Sequence, residues 1–403
     1  MIVLDVILTA MALALLIPAA IYFLECMIAV FRGASAPLAL SDFRPRVTVV
    51  VPAHDEQGNV GDTVRHLWRQ LEDHDRLIVV ADNCTDDTSA EAVQAGAEVW
   101  IRIDAARRGK GYAISFALDR LAAAPPEILV FVDADCRLSD HAIDTISRAA
   151  LTYQRPVQAE YLLSAPSGAG PLASVSALAY LIRDLVRPLG LHHLGLPCHL
   201  TGTGMAFPWQ QIRQAPAQQA HLVEDLVIGL ELAIAGHPPL LCHEAKVHGS
   251  LPDTAQGAKS QRRRWEHGQM STAMSHGGRL LREGIQQRRG SLLALAADLS
   301  VPPLALLVAM LIGVSVLAGL GALLGAGSLA LIATMFALVL VVIATTAAWW
   351  RFGRRLVPFW SLLLAPAYMV WKLPLYAAFF FRKQQRDWVR TERNRGGSRR
   401  DDI

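Results

Sequence analysis

EILVFVDADC, residues 127–136, decides the fold. Residues 128–132 are an unbroken apolar run of branched and aromatic side chains placed just after Pro125 and Pro126. That pattern predicts a strand buried on both faces of a parallel sheet. The run stops at Asp133, Ala134 and Asp135. Ligands of open α/β sheets bind beyond the carboxyl ends of the strands, so these two carboxylates face a site. Carboxylates this close repel each other, and a divalent cation relieves the repulsion. The expectation is Mg²⁺ or Mn²⁺ at Asp133 and Asp135, holding a diphosphate. The plainer alternative is a strand-ending aspartate that caps the next helix, with Asp135 solvated.

Upstream, the apolar run 47–51 ends in Pro52, Ala53, His54, Asp55 and Glu56, and a helix is expected from about 59 to 71. Residues 77–80 form a second run ending at Ala81 and Asp82, after which Asp86 and Asp87 suit a helix N-terminus. A third strand is expected at 98–103, and the segment from Arg107 to Tyr112 opens a helix reaching about Leu121. Strands alternating with helices imply parallel βαβ units. Three of the four strands end in acidic or polar clusters, which converge on one sheet edge and suit a nucleotide. There Asp82 can accept from a base or ribose donor, or serve only as a turn residue. Lys110, between two glycines, can reach a phosphate where the backbone comes close, or stand solvated. Neither GxGxxG nor GxxxxGK[ST] occurs, so a dinucleotide fold or P-loop is not supported.

Downstream, residues 201–207 include Gly202, Thr203 and Gly204, a small-residue loop that a ligand's atoms can approach closely, or an ordinary turn. Glu224 and Asp225 precede an amphipathic helix expected at 226–235, where Asp225 could simply cap. Gln261 and Arg262 to Trp265 set three guanidiniums beside an indole, suited to phosphate binding and stacking. A basic patch facing a membrane is the alternative. His54, His243, His248 and His267 lack metal-ligand spacing and read as structural or polar lining.

The chain has 403 residues, 53% hydrophobic, with mean hydropathy +0.31. That excess is concentrated at the two ends. Residues 2–30 carry only Asp5 and Glu25 as charges and are long enough for one membrane span, which needs about 20 residues. No Lys or Arg precedes this stretch, and Arg32 follows it, which favours an anchor with its N-terminus outside over a cleaved signal peptide. Residues 299–324 and 328–350 are two further spanning candidates joined by a Gly-Ala-Gly turn. The segment 356–381 reads as a third span or as a re-entrant hairpin, since basic residues flank both ends. Net charge is only +3, but arginines cluster at 279–289 and in the tail 382–400, as expected for contact with anionic lipid and not with nucleic acid. The five cysteines show no CxxC spacing and are expected to be reduced thiols.

The motifs VPAHDE, ADNCTDD, RRGKGYA, DAD, VED and QRRRW, in this order and flanked by apolar helices, resemble glycosyltransferase family 2, in its membrane-embedded branch with cellulose, chitin and hyaluronan synthases. The resemblance covers about 47–265 and extends weakly into the C-terminal helices. It implies an α/β GT-A-type, mostly parallel sheet domain and inverting transfer from a nucleotide sugar, with a UDP-sugar expected. By position, Pro52, Ala53, Glu56, Asp82 and Lys110 would bind the nucleotide sugar, with Asp133 and Asp135 engaging the diphosphate and its Mg²⁺ or Mn²⁺. Asp225, beside Glu224, would be the general base, and Thr203, Gly204, Gln261, Arg264 and Trp265 would border acceptor and diphosphate. The organisation implied is a transmembrane helix at 1–31, a cytoplasmic transferase domain at 44–275 and an amphipathic interfacial segment at 276–298. Two or three membrane helices at 299–381 and a basic tail at 382–403 complete it. The expected setting is the inner (cell) membrane. Expected partners are a nucleotide-sugar donor, a glycan or lipid-linked acceptor, membrane lipids and export or polymerase proteins. Valine stands at 223 where the synthases usually show threonine, and a loose likeness to their gating loop falls at Trp388 to Thr391. The chain reads as an exopolysaccharide-type synthase; the alternatives are single addition to a lipid or polyprenyl-linked acceptor, or a subunit without chemistry.

Overall fold

The computed structural model describes residues 2–32, 37–166, 170–215, 223–252 and 254–381. The basic tail and the gating-loop likeness at 388–391 lie outside the described residues. Two compact units form. Of the described residues, one is built from 37–166, 199–215, 223–252 and 254–268, the other from 2–32, 170–198 and 269–381.

In chain order, helix α1 (Ile2–Arg32) is followed by β1 (Val47–Ala53), α2 (Val60–Trp68), β2 (Arg76–Asp82), α3 (Thr88–Gln94) and β3 (Glu98–Arg102). Next come α4 (Lys110–Leu121), β4 (Ile128–Phe131), β5 (Arg137–Leu138), α5 (Ala142–Tyr153) and β6 (Val157–Ser164). Helix α6 (Pro171–Leu181), a π-helical turn (Ile182–Val186) and α7 (Arg187–His193) precede β7 (Met205–Pro208), α8 (Trp209–Ile212), α9 (Glu224–Ile234) and β8 (Leu240–Ser250). The remainder is α10 (Ala255–Gln286), α11 (Gly290–Ser300), α12 (Leu304–Leu323), α13 (Leu329–Ala348), a π-helical turn (Trp349–Gly353), α14 (Phe359–Leu362) and α15 (Ala365–Phe381).

The sheet unit carries one eight-stranded sheet in the order β3-β2-β1-β4-β7-β6-β8-β5. The first four strands run parallel, β7 pairs antiparallel with β4 and β6, and β6 and β8 are again parallel. All four residues of β4 are buried, as the opening stretch requires of a central strand. Phe131 meets Phe207 of β7 edge-on at 5.8 Å, inside a core with Val50, Ile78, Val80 and Trp100. Fully burying such side chains contributes about 1.5–3 kcal/mol each. Because β1, β2 and β4 are parallel, Ala53, Asp82 and the Asp133 turn reach the same edge.

In the helical unit α1 packs closely within the bundle and is no detached anchor. Tyr22 Oη lies 2.9 Å from Thr345 Oγ1 of α13, and Arg187 of α7 bonds Glu25 of α1 at 2.7 Å and also engages the Asp298 carboxylate of α11. A β-carbon at Gly190 would sit 2.8 Å from the carbonyl carbon of Glu25, so α7 and α1 touch backbone to backbone. Gly190→Ala should therefore destabilise the helical unit by about 1–3 kcal/mol, since neither main chain yields easily. Gly278→Ala, with no atom within 4 Å of the added carbon, is the control. A melt in detergent in which both variants match wild type would show that this contact is not tight.

Three helical segments, Ile2–Arg32, Leu304–Leu323 and Leu329–Gly353, are long and apolar enough to cross a membrane. The stretch 356–381 does not form a single rod. Pro358 and Pro366 stand at the starts of α14 and α15, where proline is tolerated, and α15 spans 17 residues with Pro374 inside. The boundary expected at 275 falls within α10, which continues to Gln286.

Candidate active site at the carboxyl edge of the sheet

The site is built on the turn after β4. Asp133 N–H donates to Thr203 Oγ1 (3.1 Å), and Thr63 of α2 donates to Ala134 O (2.7 Å), so both sides of the turn are tied down. Lys110, the first residue of α4, pairs its ammonium with the Asp133 carboxylate and donates to Gly202 O at 2.6 Å. Gly109 makes this possible. Its φ of +133° is a conformation that L side chains rarely adopt, and it lets the chain enter α4 with Lys110 aimed inward. Gly202 has φ +93°, and a β-carbon there would stand 3.1 Å from Asp225 Oδ2 and 3.3 Å from Lys110 Nζ. Lys110, Asp133, Asp225 and the 202–203 backbone thus form one cluster.

Glu224 and Asp225 are the first two residues of α9, not a pair ahead of it; the positive end of the helix dipole favours acids there. Val223 makes no side-chain cap. Its methyls fill the space over Gly268 of α10, where a β-carbon would come within 2.6 Å of Val223 Cγ1, so packing replaces the hydroxyl. Burial raises the pKa of Glu224 to about 7, the charge of Asp225 adding to it, while Lys110 and Arg264 oppose it. Burial raises Asp225 as well, against Lys110. Burial disfavours the Lys110 ammonium, but Asp133, Glu224 and Asp225 outweigh that and hold it charged.

A carboxyl whose native pKa is raised is destabilising once ionised, and the loss grows as pH climbs from the unfolded value through the folded one. Glu224→Gln should accordingly melt higher than wild type at pH 8, with the gap shrinking towards pH 5. An equal gap at both values in a thermal melt would place the titration elsewhere.

At the β1 and β2 ends, the Asp82 carboxylate is already held. It accepts from Arg102 (2.6 Å), from Asn83 Nδ2 (3.0 Å) and from the Gly109 N–H. Arg102 also stacks over Tyr112 and donates to Arg107 O at 2.8 Å, so Asp82 braces the loop that presents Lys110. Glu56 N–H donates to Thr88 Oγ1 (2.7 Å), and the Glu56 carboxylate accepts from Asn59 (3.2 Å). Pro52 and Ala53 lie beside Val80 and Ala81 in the parallel pairing. The N-terminal acceptor of α3 is Asp86, which takes the Thr88 N–H (3.1 Å), and not Asp87.

Gln261, Arg264 and Trp265 lie on α10. Among the described residues, Gln261 Oε1, Arg264 Nε and Thr201 Oγ1 are buried with no hydrogen-bond partner, capacity a ligand could take up. Oxygens of Asp133 and Asp135 and the Cys136 sulfur lie within 4.8 Å of one another. Two carboxylates suit a hard cation such as Mg²⁺ or Mn²⁺. Burial drives the Cys136 thiol pKa up, so it stands there neutral. A second group, Asp55, Cys84 and Asp86, is drawn into loop bonds instead, Asp55 taking the Thr85 N–H at 2.6 Å.

Two contributors were not legible in sequence, Arg102 and Gln158. Gln158 of β6 accepts from Thr201 N–H (2.9 Å) and donates to Thr203 O (2.9 Å), fixing the loop that touches both Lys110 and Asp133. Leaving those loop groups unmet costs about 1–3 kcal/mol, so Gln158→Leu should lower the melting temperature and slow turnover. Unchanged melting and turnover would show that the loop holds its shape unaided. A buried glutamine in an apolar strand gives no pattern to read.

None of the five cysteines is disulfide-bonded. Residues 45–268 match the family described as "Glycosyltransferase like family 2". Glucosyl-3-phosphoglycerate synthase of Mycolicibacterium paratuberculosis is 39% identical over 95 residues, 22% of this chain and 28% of that protein. A low-salt glycan biosynthesis hexosyltransferase of Haloferax volcanii is 34% identical over 98 residues, 24% of this chain and 22% of that one. The chain therefore matches under a third of the length of either curated relative. Among solved structures, the mannosyltransferase PcManGT from Pyrobaculum calidifontis, in complex with GDP-Man and Mn²⁺, superposes with TM-score 0.53 at 18% identity. The superposition covers 91% of this chain and 99% of that one, a likeness of GT-A-type fold.

Proposed function

The chain belongs to glycosyltransferase family 2, and from that membership we propose that it is a membrane-bound, inverting transferase moving a sugar from a nucleotide sugar, with a UDP-sugar expected, to a growing glycan. The observation that carries the reading is the cluster of Lys110, Asp133, Asp225 and the Gly202 backbone at the sheet's carboxyl edge. In this proposal Asp225 takes the proton of the acceptor hydroxyl while that oxygen attacks the anomeric carbon from the face opposite the leaving group. The bond from sugar to diphosphate breaks, and the diphosphate leaves with the electron pair. Lys110 and Arg264 meet the charge that gathers on it. Asp133 and Asp135 would hold Mg²⁺ or Mn²⁺, which when bound neutralises diphosphate charge. Asp82 and Glu56, with Pro52 and Ala53, would border the nucleotide, and Thr203, Gly204, Gln261 and Trp265 the acceptor side.

The sheet unit is assigned to catalysis on the cytoplasmic face of the cell membrane, and the helical unit to the bilayer. Among the described residues three helices are long and apolar enough to cross a membrane, and a membrane region of that size favours a second reading, single addition to a lipid or polyprenyl-linked acceptor.

The deciding experiment is nucleotide release by detergent-purified protein with Mg²⁺ or Mn²⁺ across UDP-, GDP- and dTDP-sugars, with products sized. Long product supports synthesis of a glycan, and one added sugar on lipid the second reading. No release from any donor, with membrane lipids supplied, would overturn the assignment as a self-sufficient enzyme.

A further inference from the structure

The chain leaves α13 through a tight elbow. The π-helical turn Trp349–Gly353 ends the apolar helix, and Trp349 Nε1 donates to Val357 O at 2.8 Å, folding the chain back on itself. Trp349 is buried, and Phe359 packs on it with ring centroids 5.8 Å apart. What the elbow turns outward is of two kinds. Trp350, Phe359 and Trp360 are 61%, 53% and 75% exposed. Arg351, Arg354 and Arg355 are exposed among them, and the Arg354 guanidinium lies over the Trp350 ring at 5.2 Å. Large indoles left in water are unfavourable, and three guanidiniums so close repel one another, so this surface calls for a partner that is apolar on one side and anionic on the other.

We propose that the elbow is a docking surface for anionic phospholipid headgroups. Three observations commit it to lipid. It forms the end of a segment, Leu329–Gly353, long and apolar enough to cross a bilayer, which places it where acyl chains give way to headgroups. Tryptophan partitions to that boundary, its ring among acyl carbons and its N–H towards water. The charge is one-sided as well: no Asp or Glu occurs between Asp298 and Phe381, and residues 324–328, at the opposite end of α13, carry no Lys or Arg. A guanidinium stacked on an indole keeps its N–H edge free for phosphate oxygens, while the ring supports its flat face. The same asymmetry puts this end of α13 on the cytoplasmic side.

The inference rests on the membrane placement proposed above, and its test separates the two. Native mass spectrometry of the full chain in detergent, supplied with equal phosphatidylglycerol and phosphatidylcholine, reads which lipid is retained. Wild type should keep the anionic lipid at least several-fold over the zwitterionic one. The triple variant Arg351→Gln, Arg354→Gln, Arg355→Gln should lose most of that preference. Removing the same charge from the sheet unit, with Arg65→Gln, Arg69→Gln and Arg137→Gln, should leave it in place, and matched melting temperatures would show that all three proteins are folded. Equal retention of both lipids by wild type would overturn the proposal, as would an elbow variant indistinguishable from the control. A two-chain mass without lipid preference would assign the patch to a second copy instead. A chain that stays dispersed without detergent would overturn the membrane placement itself.

Discussion

Asp225→Asn is expected to lower turnover by about 10²–10⁴-fold, the range for losing a positioned general base, while nucleotide binding stays near wild type. The substitution keeps the shape of the side chain, so Gly202, whose added β-carbon would stand 3.1 Å from Asp225 Oδ2, meets no new bulk. What is lost is basicity. Burial raises the pKa of Asp225 above the ordinary aspartate range, and Lys110 restrains that rise. A base tuned upward takes a proton more readily at neutral pH than a solvated aspartate does. The measurement is paired: donor turnover, and titration of the nucleoside diphosphate by calorimetry. Turnover retained would move the base to another residue, Glu224 first. Binding lost together with turnover would place Asp225 in the donor pocket.

The reach of sequence reading here follows from geometry. Asp82 and Asp133 were legible as edge residues because an apolar run fixes a strand, and parallel strands deliver their ends to one place. Lys110 was legible as a candidate because glycines flank it. That Lys110 and Asp133 pair was not, since their contact spans 23 residues of chain and depends on how α4 lies over the sheet. Asp82 shows the opposite limit. Its position marks it as a candidate nucleotide contact, but that its carboxylate also accepts from Arg102, Asn83 and Gly109, bracing the loop that presents Lys110, leaves no mark in the sequence. In the helical unit, hydropathy located three helices long enough to cross a membrane but could not reveal that Glu25 of α1 is matched by Arg187, 162 residues away. Long-range pairings of buried charge leave no periodic trace.

Asp133→Asn should be the other severe lesion, and it separates the metal from the lysine. The carboxylate serves two cations in this reading: it pairs with Lys110, and with Asp135 it offers oxygens to Mg²⁺ or Mn²⁺. Asparagine keeps a carbonyl oxygen but no charge, so Mn²⁺ binding, followed by electron paramagnetic resonance with nucleoside diphosphate present, should weaken by at least about tenfold, near 1.4 kcal/mol. The lesion should also reach the base. Asp133 is the foremost of the carboxylates that hold Lys110 charged, and without it the ammonium is left to Glu224 and Asp225. A cation drawn towards Asp225 lowers its pKa, making the base weaker and moving the acid limb of the pH–rate profile to lower pH. Saturating Mn²⁺ should therefore restore only part of the rate. Full rescue by excess metal would confine Asp133 to holding the cation. Unchanged Mn²⁺ binding with a shifted acid limb would mean that Asp133 acts through Lys110 alone, and that the metal is held elsewhere.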